Sequence, residues 1–214
     1  MHLKKELPVL IIIALPFLYL SFIWKELPER VPMHWNINGE IDRYGDKTEL
    51  WLIPILLPLL TYVMLLVIPK IDPKNKLNKT GNKLPKFRFI LTTFMSILAL
   101  FIIYSAKNTS FSSSKYITIL VGFLFVLLGN YFKTIPANYF IGIRTPWTLE
   151  NETVWRETHK LGGKLWFLGG ILIIISTLIF PPKINGIVMS VVIGILVVVP
   201  VAFSYVKFKK LSKI

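Results

Sequence analysis

The sequence predicts an all-α integral membrane protein with six spanning helices, and three observations carry that prediction. Half of the 214 residues lie in six apolar runs that contain no Asp, Glu, Lys, Arg or His. Each run is 16 to 20 residues long, close to the ~20 that take a helix across a ~30 Å hydrocarbon core. Hydrophobic residues make up 54% of the chain and charged ones 17%, against roughly 45–50% and about 25% in soluble domains, so an aqueous globule around a single core is excluded.

The runs follow in order. Leu7 to Trp24 comes after Lys4 and Lys5, but no small-residue cleavage site follows it, so it reads as a retained first helix and not a signal peptide. Leu50 to Ile68 is the second, with Pro54 and Pro58 inside, and Pro16 and Pro200 likewise interrupt the first and last runs; each is expected to kink its helix. Phe89 to Ser105, Tyr116 to Phe132, Leu165 to Phe180 and Ile187 to Val206 complete the set. The domain reading is an N-terminal helix pair with an outer loop over 1–68, a basic loop over 69–88, and a four-helix region over 89–214 whose fourth loop, 129–164, has a composition of its own.

Charge orients the chain. The formal balance is +14, and 18 of the 25 basic residues fall in the termini and the even-numbered loops. By the positive-inside rule both termini are cytoplasmic and the odd-numbered loops face outward. The same rule accounts for the basic surplus, so nucleic acid is not an expected partner, whereas membrane lipid is. The absence of cysteine excludes disulfides and thiolate chemistry. No ionisable side chain lies within a run, which argues against proton relays and ion-coupled transport. Polar groups at depth, such as Thr92, Ser96, Ser176 and Thr177, read as helix packing, and Gly162, Gly163, Gly169 and Gly170 as points of close helix approach.

Two loops are more than connectors. The first, Lys25 to Glu49, holds 4 basic and 6 acidic residues, the only acidic region of the chain. Pro28 and Pro32 extend its start and Asn38-Gly39 reads as a tight turn, so an outward hairpin is expected. His34, Trp35, Asn36, Glu40, Asp42 and Asp46 form its candidate surface for contact with a cationic peptide. His34 with the three carboxylates has no standard zinc or calcium spacing, so hydrogen bonding within the loop is preferred to a metal site.

In the fourth loop, Asn151 is placed to cap a helix running to about Leu161, an interfacial helix leading into the fifth span. Trp155, His159, Gly162 and Trp166 share one face of it. Two readings stand: a buried aromatic stripe, or a polar pair of Arg144 and His159 that binds a carboxylate or phosphate. No serine triad or Walker motif accompanies them.

The stretch Gly142-Ile143-Arg144-Thr145-Pro146-Trp147-Thr148-Leu149-Glu150-Asn151-Glu152-Thr153-Val154-Trp155, with the Gly-rich entry to a span behind it, resembles the signature of the SdpI family of bacterial immunity proteins. Pro32-x-His34-Trp35-Asn36 and Gly39-x-x-Asp42 are similar to an uncharacterised domain that precedes that signature in longer members. The resemblance implies a polytopic protein of the cytoplasmic membrane, non-enzymatic and without cofactor. It also implies protection against a secreted antimicrobial peptide toxin and retention of a small transcriptional repressor at the membrane. Arg144, Thr145, Pro146 and Trp147 match the motif and, with Trp155 and His159, are the candidate binding residues. A small-solute transporter or channel, and a membrane-embedded enzyme, are the alternatives.

Overall fold

The computed structural model describes residues 3–36, 38–73, 75–77, 82–108 and 113–212. Parts of the expected basic loop, at 74 and 78–81, therefore lie outside the described residues. Among the described residues six helical segments are long and apolar enough to cross a membrane: Glu6–Glu26, Lys47–Ile71, Lys83–Lys107, Ser114–Phe132, Glu152–Ile179 and Pro182–Leu211. They are numbered below as the first to sixth spans, and every apolar run of the sequence falls on one of them. Large apolar side chains stand out from their surfaces, among them Phe22 at 81%, Ile179 at 68% and Val198 at 64% exposure. Contiguous apolar surface on this scale is stable only against hydrocarbon, so the chain is a six-helix membrane protein.

The chain divides into two compact units, Met1–Val67 with Leu84–Ile117, and Ile68–Lys83 with Thr118–Ile214. In the first unit, Leu20, Ile23, Leu27, Val31, Leu50, Ile103 and Ala106 form a buried core. Ser96 donates to the carbonyl of Ile12 at 2.7 Å, joining the third span to the first. A partly buried ion pair lies at the end of these helices: Arg88 Nη2 meets Glu6 Oε1 at 2.5 Å, and both side chains are 13% exposed. The Tyr62 hydroxyl donates to the other oxygen of Glu6 at 3.1 Å, and the Arg88 guanidinium lies 5.4 Å from the Tyr62 ring centre. Glu6 and Arg88 each stand one residue outside an apolar run, which is why a count of charges within the runs does not find them.

The second span is irregular at its prolines. Pro58 has no N–H to give, and the backbone widens into a π-type turn over Ile55–Leu59, with the Leu60 N–H reaching the Ile55 carbonyl. The expected hairpin is present as strands β1, Arg30–Trp35, and β2, Ile41–Asp46, paired antiparallel. Gly39 at φ 81° makes its turn.

In the second unit the fourth and fifth spans approach backbone to backbone. A Cβ on Gly170 would meet the Gly122 carbonyl oxygen at 2.5 Å, and one on Gly163 the Gly129 carbonyl oxygen at 2.7 Å. The two glycines on each helix are seven residues apart and pair in antiparallel order, forming a seam that only glycine permits. Gly169 faces Val192 and Leu196 of the sixth span. Beyond the seam, the hydroxyls of Ser176 and Thr177 both donate to Asn185 Oδ1, at 2.7 and 3.1 Å, and fasten the turn between the fifth and sixth spans.

One expectation is corrected here. The interfacial helix expected before the fifth span is not a separate element but the first turns of a continuous helix, Glu152–Ile179. Two adjacent glycines, 162 and 163, cost a helix roughly 1 kcal/mol each relative to alanine. Here Ile143 and Phe132 pack onto Gly162, and the Gly129 backbone onto Gly163, so tertiary contact holds the helix through them.

Candidate functional site

The signature loop lies between the fourth and fifth spans and is organised by a residue that the sequence reading did not select. Asn138, 1% exposed, donates to the carbonyls of Pro136 and Ile141 at 2.8 and 3.0 Å. Its Oδ1 accepts from the N–H groups of Phe140 and Ile141 at 2.8 and 2.7 Å. One asparagine thereby satisfies four backbone groups of a partly buried turn, where each group left unpaired away from water would cost about 1–3 kcal/mol.

The loop is then latched to the fifth span. The Ile143 N–H donates to His159 Nε2 at 2.9 Å, and His159 Nδ1 lies 2.8 Å from the Trp155 carbonyl. Since Nε2 accepts, Nδ1 must be the donor, which fixes a neutral imidazole with its proton on Nδ1. The Trp155 ring stacks on the imidazole at 4.0 Å between centres, and the Trp155 indole N–H donates to the Ile135 carbonyl at 2.9 Å. Gly142 makes the latch possible: it adopts φ +112°, and a Cβ there would lie 2.4 Å from His159 Nε2.

The centre of the motif faces the sixth span. Thr145 caps a short helix, Pro146–Glu150, by a reciprocal arrangement with Thr148, and proline occupies the first turn, where its missing donor costs nothing. The Thr145 hydroxyl lies 3.0 Å from that of Ser204, and the Trp147 ring 5.0 Å from that of Tyr205. Thr148 also donates to the Ile143 carbonyl at 2.9 Å. Asn151 then caps the fifth span as expected, accepting from Thr153 and Val154 at 2.9 and 3.1 Å.

The structure does not bring Arg144 and His159 together as a pair. His159 is buried and committed to backbone, while Arg144 is exposed and donates to the Tyr139 carbonyl at 2.5 Å. The aromatic stripe, by contrast, is present. Phe132 lies against His159 and Trp166, with ring centres 6.0 and 5.1 Å apart. Beside the latch is a cavity of about 640 Å³, with Trp155, His159 and Ala137 in its wall and Lys76, Lys83, Lys133 and Arg156 around it.

The outer-loop residues lie on the hairpin. His34 Nδ1 is 2.6 Å from Asp42, Asn36 donates to Glu40 at 3.0 Å, and the Asn36 side-chain oxygen accepts from the N–H groups of Asn38 and Glu40. Asp46 accepts from the Thr48 N–H at 2.8 Å and caps the entry to the second span. Hydrogen bonds from the Thr48 hydroxyl and backbone hold the Asp46 carboxyl below the usual carboxylate range. Trp35 is half-buried at the end of β1.

Fold and site together define a polytopic α-helical membrane protein whose signature loop is built into the helix bundle by backbone hydrogen bonds. Residues 134–204 match the SdpI/YfhL protein family, and residues 11–57 a domain of unknown function, DUF1648. The resemblance carried by the two motifs is thereby borne out. The chain is 27% identical to the immunity protein SdpI of Bacillus subtilis, over 98% of this chain and 99% of that one. It is also 34% identical, over 41% of its length, to an uncharacterised protein of Archaeoglobus fulgidus, 45% of which is covered. No solved structure matches the chain.

Proposed function

We propose that this chain is a non-enzymatic immunity protein of the cytoplasmic membrane, with both termini in the cytoplasm, that protects its cell against a secreted antimicrobial peptide. The observation that carries the reading is the collinear likeness to an immunity protein along nearly the whole of both chains. The geometry supports it. The motif residues Thr145 and Trp147 and the latch residues Trp155 and His159 are used in holding the loop against the spans, as a scaffold requires. The hairpin offers exposed Glu40 and Asp42 on the side from which a cationic peptide arrives. Arg144, exposed and tied to one loop carbonyl, is the residue of the motif free to meet a cytoplasmic repressor.

Expression in a sensitive host challenged with membrane-active peptides tests the proposal, and survival against at least one secreted peptide is expected. Equal killing with and without the protein across the panel refutes it. Orientation is checked with single cysteines in this cysteine-free chain. On intact cells an impermeant thiol reagent should label Asn38→Cys and not Glu150→Cys, both exposed positions.

A further inference from the structure

The cavity beside the latch gathers charge from three separate stretches of the second unit. Lys76 comes from the connector between the second and third spans and Lys83 begins the third, Lys133 directly follows the fourth span, and Arg156 lies in the second turn of the fifth. Against these four cations the wall holds one carboxylate, Glu152, which is paired with Lys76. Among the described residues no carboxylate pairs with Lys83, Lys133 or Arg156, and all three side chains are exposed. Like charges drawn around one cavity repel one another unless an anion joins them.

The floor is of the opposite character. Trp155, His159 and Ala137 are 3%, 1% and 7% exposed, and both ring nitrogens of His159 and the Trp155 indole N–H already have backbone partners. The floor therefore offers apolar edges and no free donor, and half-buried Ile135 and Pro136 border it. Such a site suits a ligand with an anionic head and an apolar body. It also lies at helix ends, the depth at which lipid phosphates sit.

We propose that this cavity binds an anionic phospholipid, its phosphate held by Lys133, Arg156 and Lys83 and its glycerol region lying against Ile135 and Pro136 above the Trp155–His159 floor. Cationic pockets between spans are recognised sites for anionic headgroups. A free phosphate ion satisfies the rim equally well but gains nothing from the apolar floor, and that difference separates the two sources. The assignment is independent of whether the protein confers immunity.

The test uses the full chain in nanodiscs of phosphatidylcholine doped with phosphatidylglycerol, with retained lipid read by native mass spectrometry. Phosphatidylglycerol should be retained in preference to phosphatidylcholine. Removing a cation from such a surface weakens attachment about fivefold, so the Lys133→Gln/Arg156→Gln variant should bind about 30-fold more weakly. The charge-matched variant Lys160→Gln/Lys164→Gln removes exposed lysines of the same helix that do not line the cavity, and it should bind as wild type. The proposal is overturned if the two variants lose lipid equally, if neither does, or if phosphatidylcholine is retained as well as phosphatidylglycerol. Displacement of the lipid by millimolar inorganic phosphate would assign the site to a soluble anion and overturn it too. So would displacement by an acidic peptide, which would make the cavity a protein-docking site.

Discussion

Replacing His159 by phenylalanine keeps a planar ring against Trp155 and Phe132 but removes the acceptor of the Ile143 N–H. The Trp155 carbonyl retains its place in the helix, so the loss of the Nδ1 donor costs little. The orphaned Ile143 N–H is the larger effect. An unpaired donor in a partly buried site costs about 1–3 kcal/mol, and with the loosened loop we expect destabilisation of about 2 kcal/mol. Gly142→Ala attacks the same latch from the other side, because its Cβ would stand 2.4 Å from His159 Nε2 on a backbone at φ +112°. Once either change has opened the latch the second has little left to remove, so the double variant should be less destabilised than the sum of the singles. Equilibrium unfolding in mixed micelles measures all four proteins of this cycle. Additivity within about 0.5 kcal/mol, or a His159→Phe variant as stable as wild type, would refute the latch.

Breaking this partly buried pair with Glu6→Gln or Arg88→Gln should cost about 2 kcal/mol, and a joint Glu6→Leu/Arg88→Met replacement should recover most of it, as read by the same unfolding measurement. Gly163→Ala drives a methyl group toward the Gly129 carbonyl and should cost about 1–3 kcal/mol, whereas Gly194→Ala, with open space around it, should leave the protein equally or more stable. The Asp46 carboxyl is held below its ordinary value in the folded chain, so its capping contribution is fully present above the usual carboxylate range and lost as pH falls through the folded value. The Thr48 amide resonance should follow that titration, and Asp46→Asn, which keeps a capping oxygen, should flatten it.

The spans were legible because a helix in hydrocarbon must be apolar along its whole length, and composition records that requirement without reference to neighbours. The hairpin turn at Asn38-Gly39 and the cap at Asn151 were legible for a related reason, since each is decided by the dihedral preference or side-chain reach of one or two adjacent residues. A long motif likewise pointed to the family whose model matches residues 134–204. Tertiary structure decided what depends on distant partners. Whether Gly162-Gly163 ended a helix or let it pass depended on Ile143 and Gly129 lying against them. Whether His159 met Arg144 or the Ile143 backbone depended on the turn that Asn138 imposes. The Glu6–Arg88 pair joins residues 82 positions apart, and nothing local to either marks the other as its partner. Local preferences are carried by adjacent residues and can be read in order. The pairing of buried polar groups is settled by which backbones come within hydrogen-bond reach once the helices have packed, and that information exists only in the folded chain.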